Sequence, residues 1–440
     1  VKPDKDKDKY KDAEMTRILR TDSHLHLYGA INATDLWEIG EKNHRRHADR
    51  LAWFDTEYFK VTGKRLNSLS WWSLTDGFDI FRDTFLIKEP LTFEEFQARF
   101  NLIIALCPPD PSELSLAEAV LARDQIQGGV KEYRTFIPPL LDITTRHDYV
   151  MKLLQLVREH NSNRFCPRIA FSLVRDNVSA KSMYYWITDF LEKNKEFQPY
   201  VTGLDFCGNE AEHPPHPKAS LFSLINSENE GRSFPLQILY HVGEMWSYQG
   251  LASSIRWIVE SAKIGSHRLG HCTALGINPI LLKGEIMVEP LAEFDDHANW
   301  LKTNAAKLSE YGYHSDLQTE YFNLAIKSPT AVTWHYDDNV CRNLALFQDA
   351  VMMMLKEHGA TIECCLTSNY LLGKLQSKIN HPITRFLKAG LQCTISTDDP
   401  GIFMTSLEQE EVFAKENLYL TPRQLKLCED IAHNHIAANL

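Results

Sequence analysis

Nowhere does the 440-residue chain carry the run of about 18 apolar residues that a membrane-crossing helix needs. Its first residues, VKPDKDKDKYKDAE, lack the apolar core of a secretory signal, and no initiator Met stands at their head. That start fits a processed form or a piece of something longer. Basic residues are outnumbered: 47 Lys and Arg stand against 58 Asp and Glu, for a net charge of -11. Such a chain is a poor generic binder of nucleic acid, because phosphate affinity needs a positive surface. A local basic pocket stays open as a possibility. The nine cysteines form no C-x-x-C pair and are scattered through mostly apolar runs. This usage fits free buried thiols in a reducing, cytoplasmic setting. Apart from the N-terminal Lys/Asp alternation there is no repeat or low-complexity tract.

What the chain does have is eight short apolar runs. They are SHLHL (23–27), EYRTFI (132–137), RIAFSLV (168–174), VTGLDFC (201–207), LQILYHV (236–242), HRLGHC (267–272), ATIECCL (360–366) and LQCTIST (391–397). Stretches with helical apolar spacing lie between them: 112–129, 148–161, 251–265 and 346–360. The last of these closes with Lys356, His358 and Gly359, a helix C-terminus. Its Met352, Met353 and Met354 suit packing and surface cover. Eight strands alternating with helices predict a (β/α)8 barrel covering 21–440, behind a charged tail at 1–20. Two stretches are too long for a single crossover. Residues 31–131 hold several helical segments, and 273–359 form a partly helical insertion between strands six and seven.

Polar residues gather at the C-terminal ends of these strands, where a barrel collects its active site. His24 and His26 are two apart, so in a strand both imidazoles face one side. His241 ends LQILYHV, with Glu244 three residues on. Asp398 and Asp399 follow LQCTIST. Three imidazoles and a carboxylate form an open donor set of the catalytic Zn2+ type. Taken singly, a core histidine or an Asp-Asp-Pro turn explains each of them; all of them together, at matching strand ends, favour a site. His271 closes the sixth strand, where it can orient or deprotonate a metal-bound water. His267, at that strand's start, belongs to the far end. Glu244 is placed to give a proton to a substrate nitrogen. Asp205 and Glu210 flank FCGN, where Gly208 either admits a planar ligand close to the backbone or simply turns the chain. A two-metal hydrolase would call for a bridging anion, often a modified lysine on the fourth strand, and VTGLDFC has none.

SHLHLYGA, LDFCGNE, HVGE, HRLGHC, CCLTSNYLLG, HPITRFLKAG and STDDPGIF occur in one order over about residues 21 to 410. In this the chain resembles the adenosine deaminase family of metal-dependent hydrolases. The resemblance implies one Zn2+ held by His24, His26, His241 and Asp398. It implies that Glu244 protonates purine N1 and that His271 and Asp398 position the attacking water and help deprotonate it. Asp399 would hydrogen-bond N7, and the Gly208 backbone would meet N3. The stretch 71–85 looks like the family's apolar helix over the pocket, with Phe78, Phe81 and Phe85 shielding the base; ordinary helix packing explains each ring equally well.

The chain departs from the family at two places. Tyr28 stands where the adenosine enzymes usually carry the Asp that holds the ribose 5'-hydroxyl, and the 273–359 connection is far longer than usual. A carboxylate at the first place would repel a 5'-phosphate, whereas a tyrosine can donate to one. The insertion adds Lys302, Lys307, Lys327 and Arg342 among several acids. The expected substrate is therefore adenosine or a 5'-phosphorylated adenosine. Deamination of another purine, or an inactive barrel used as a scaffold, are the alternatives. Some relatives form one domain of longer defence-related proteins, and the insertion offers a subunit interface for a homo-oligomer.

Overall fold

A computed structural model of the protein describes residues 19–137, 142–211, 213–314 and 330–437. Ten strands occur among them: β1 Thr21–His26, β2 Gly129–Phe136, β3 Phe165–Leu173, β4 Val201–Phe206, β5 Gln237–Val242, β6 Arg268–His271, β7 Ile286–Pro290, β8 Ala331–His335, β9 Thr361–Cys364 and β10 Gln392–Ile395. Eight run parallel in the order β1-β2-β3-β4-β5-β6-β9-β10, with helices in the crossovers. These are the eight expected runs. The ring closes where β10 comes back to β1. There the Asp398 N–H donates to His24 O at 2.8 Å and the His26 N–H donates to Asp398 O at 2.7 Å. The architecture is a (β/α)8 barrel with extra helices.

Burial on both faces explains the strands' composition. Every residue of β3, FCPRIAFSL, and of β4, VTGLDF, is buried, so each reads as a continuous run rather than an alternation. β2 starts three residues before EYRTFI, at Gly129. A Cβ there would come within 2.7 Å of the Arg20 carbonyl oxygen, and its φ is +108°. Glycine is what lets the chain turn from the helix Ser115–Gln127 straight into the strand.

Between β1 and β2 the helices Ala33–Asn43, Ala48–Thr62, Gly77–Phe85, Phe93–Leu106 and Ser115–Gln127 replace a single crossover, as expected. At the opposite end the helix Pro422–Ala437 covers the barrel floor. The His435 ring meets Thr361 Oγ1 at 2.8 Å, and His433 meets Thr21 Oγ1 at 3.2 Å. His267 lies on this side too; its Nδ1 accepts the Ile238 N–H at 3.0 Å. All nine cysteines are free and buried.

The insertion is partly helical, as expected, and holds a ribbon as well. Besides the helix Leu291–Glu310 it contains an antiparallel ribbon, β7 with β8, in which Ile286 faces His335 and Glu289 faces Val332. Its alternation is inverted in polarity, which hid it in the sequence. Met287 and Glu289 point inward, while Ile286 and Val288 are exposed. The Trp334 indole N–H, at 2.5 Å, and Ser253 both donate to the Glu289 carboxyl, and the Ser253 bond ties the ribbon to the helix Leu251–Lys263. Lys307 is partly exposed and pairs with Glu310 and Glu357. Residues 1–18 of the tail, and Lys327 within 315–329, lie outside the described residues. Among the described residues no helix is long and apolar enough to cross a membrane.

Candidate active site

The C-terminal strand ends bring His24, His26, His241 and Asp398 together. One ligand atom from each lies within 4.8 Å of all the others. His24 and His26 leave β1 on one face, as period-two geometry requires. Their rings stand 5.6 Å apart, and His24 is 4.7 Å from His241. Asp398 Oδ1 lies 3.5 Å from His24 Nε2 and 3.3 Å from His26 Nε2. The hydrogen bonds that close the barrel at Asp398 therefore also set the distance between these side chains. Asp398 and His271 both adopt left-handed backbone, φ +64° and +66°. For residues with a Cβ this costs on the order of 1–3 kcal/mol and is characteristic of functional sites.

This donor set fits a divalent metal ion. The Nε2 atoms of His24 and His241 are buried and have no hydrogen-bond partner, which is costly unless a cation meets them. Burial pulls His241 down to about 4 against the pull of Asp205, so its imidazole is neutral, as a ligand must be. Burial alone would raise Asp398, yet His24, His26 and His271 hold it well below the usual carboxylate range. Three nitrogens and one oxygen on a divalent ion match an open catalytic zinc-type set. Two other groupings, His26–Asp205–Cys207 and His271–Cys365–Asp398, share members with the first. Burial pushes both of their thiols well up, away from the thiolate a metal needs.

Beneath the imidazoles lies a buried layer of charge that strand patterning does not reveal. His24 Nδ1 is 3.0 Å from Glu363, and His241 Nδ1 is 3.0 Å from Asp205. Arg134 bridges those two acids. Arg268 reaches Glu363 at 2.9 Å and Glu132 at 2.5 Å. Burial would raise Glu363 and Asp205, but Arg134, with Arg268 on Glu363 and His241 on Asp205, holds both well below their ordinary values. Ionised carboxylates behind the Nδ1 atoms orient the rings and raise their basicity. The available signal was a charge inside an apolar strand: Glu363 in TIECC, Arg134 in EYRTF and Arg268 in HRLGH.

Glu244 sits in the loop after β5, with its Oε1 3.7 Å from His271 Nε2. Burial, then the nearby Asp398 charge, pushes its carboxyl well above the ordinary range, which favours the donor form. Glu210 fixes that loop, accepting the Gly243 N–H at 2.8 Å and the Met245 N–H at 2.5 Å. Burial and Asp398 likewise push Asp399 upward, and its Oδ1 is buried without a partner. Gly208 follows β4 at φ +81°, with open space where a Cβ would be; it turns the chain and leaves room beside the backbone. Tyr28, two residues past β1, is half-buried. Burial pushes its hydroxyl well up, with Tyr149 beside it and Arg50 within electrostatic reach. Phe81 and Phe85 are fully buried. Phe81 packs on Trp37, Trp71, Trp72 and Phe85, a cluster over which Phe78 also lies.

Comparison with known proteins finds likeness in sequence over part of the chain and in fold over most of it. The family model described as adenosine deaminase matches residues 337–438. The adenosine deaminase of Serratia proteamaculans is 36% identical over 86 residues, 20% of this chain and 26% of that protein. Over these stretches the chain is similar to adenosine deaminases. It spans about a quarter of the length of the curated relatives it matches first. Among solved structures, a zinc-bound amidohydrolase from Burkholderia ambifaria aligns with TM-score 0.56 at 13% identity, over 95% of this chain and 85% of that one. Arabidopsis ADAL complexed with IMP aligns with TM-score 0.56 at 15% identity, over 95% and 92%. At these identities the two likenesses show the shared fold. The chain thus carries its donor set on a barrel of the same kind.

Proposed function

We propose that the chain deaminates the adenine base hydrolytically at C6, in adenosine or a 5'-phosphorylated adenosine, using one Zn2+. Water is consumed, the C6–N bond breaks, a C6–O bond forms and ammonia leaves. One observation carries this reading: His24, His26, His241 and Asp398 converge with orphaned imidazole nitrogens, and Glu244, His271 and Asp399 ring the same point. A zinc ion held by the four would bring the pKa of a water down toward about 7. Glu244, in its donor form, gives a proton to N1 and makes the ring a better electron acceptor at C6. Asp399, with an unpartnered oxygen, holds N7, and the backbone at Gly208 meets N3. In this reading the rings of Phe81 and Phe85, both fully buried, would shield the base from water on one side.

The 5' end favours a phosphorylated substrate. Tyr28 is a neutral donor where a carboxylate would repel phosphate, and Arg50 adds positive charge nearby. ADAL, which binds IMP in its solved complex, supports the same choice. The free, buried thiols support a cytoplasmic setting. Ammonia release from adenosine, AMP and ATP by the zinc-loaded protein tests the reading. Release from AMP or ATP is expected to exceed that from adenosine; turnover of adenosine alone would remove the phosphate part. Glu244→Gln should keep its metal and lose about 10²–10⁴-fold in kcat.

A further inference from the structure

Behind His271 runs a buried chain of hydrogen bonds whose polarity is fixed at one end. The Ile383 backbone N–H can only donate, and it donates to His381 Nδ1 at 3.2 Å. Burial pulls His381 down to about 3, so the ring is neutral and its one proton is on Nε2. That Nε2 lies 3.1 Å from Asn369 Oδ1, which must accept. The Asn369 amide is thereby oriented with Nδ2 toward His271 Nδ1, 2.8 Å away. An amide nitrogen donates and cannot accept, so His271 Nδ1 is the acceptor. His271, Asn369 and His381 are all buried, so water cannot replace any link.

We propose that Asn369, oriented by His381, locks His271 as the neutral tautomer with its proton on Nε2, so that His271 offers the site a hydrogen-bond donor and not a base. His271 Nε2 is the nitrogen that faces Glu244, and the ring stands 5.0 Å from His24 and 5.1 Å from His241. Resting on the deaminase reading, this narrows the part of His271: it holds the oxygen that adds to C6 and does not take that oxygen's proton. Asn369 and His381 are positioning residues, since neither reaches the site except through His271.

Nitrogen NMR of histidine-labelled protein tests this without substrate, on metal-free and zinc-loaded samples, with His271→Gln identifying the signals. The expected His271 spectrum has a bare Nδ1 and a protonated Nε2. Asn369→Asp replaces the donor with an acceptor, so the proton should move to Nδ1, and kcat should fall by about 10²–10³ with KM little changed. A wild-type His271 protonated at Nδ1 overturns the proposal. So does an Asn369→Asp spectrum that keeps the proton on Nε2. If that variant does not fold, the wild-type spectrum decides alone. A protein that releases no ammonia counts against the deaminase reading and leaves the tautomer result standing.

Discussion

Single side chains here act through the partner behind them. In the proposed metal site His24 would serve as a ligand because Glu363 stands 3.0 Å behind its Nδ1 and leaves Nε2 facing the cluster. Glu363→Gln keeps the shape and removes the charge. It should weaken zinc binding about 10–100-fold in a chelator competition, while His241→Ala should lose the metal outright. An unchanged affinity in Glu363→Gln would show that the ring needs no such support. The convergence of His24, His26, His241 and Asp398 was legible because H-x-H, HVGE and TDDP sit at strand ends, in short windows of sequence. Glu363, Asn369 and His381 were not. Their roles depend on which residue lies behind which across the barrel, and no local spacing encodes that.

The two-stranded ribbon shows, for a whole element, how one buried acid can misdirect a pattern. Strand periodicity is present in IMVEP and AVTWH, but Glu289 takes an inward position and Ile286 and Val288 take outward ones. Burial raises the Glu289 carboxyl from 4.5 to about 7, with Ser253 and Trp334 pulling the other way, Glu293 adding to the rise and Arg256 opposing it. The folded state then binds the proton more tightly than the unfolded state. Stability from this group is complete below about pH 4.5 and is lost as pH rises through about 7, a change of about 3 kcal/mol. Thermal midpoints between those pH values should fall for the wild type and stay flatter for Glu289→Gln. Equal slopes would mean that the carboxyl is not the source. The barrel strands gave no such difficulty, because residues buried on both faces make continuous apolar runs.

Over the whole molecule, the barrel interior is tied across its width by charge as well as by packing. Arg268 on β6 reaches Glu132 on β2, Glu363 on β9 and the Ser23 carbonyl on β1. Removing one partner leaves buried carboxylates uncompensated, so Arg268→Met should cost about 3–5 kcal/mol in a urea titration. A loss under 1 kcal/mol would mean that the network is replaceable by apolar packing. The same layer holds the two acids that steady His24 and His241, so the fold's centre and the site's support are one structure. The barrel could be anticipated from eight alternating runs, but this cross-barrel layer could not, because contacts such as Arg268 to the Ser23 carbonyl span 245 residues.

The most direct test of the central claim is incubation of the zinc-loaded protein with an adenine nucleotide in heavy-oxygen water. The account predicts one ammonia released per product, and one heavy oxygen in the product, on the base at C6. Base release, phosphate release or unchanged substrate in the presence of bound zinc would contradict it.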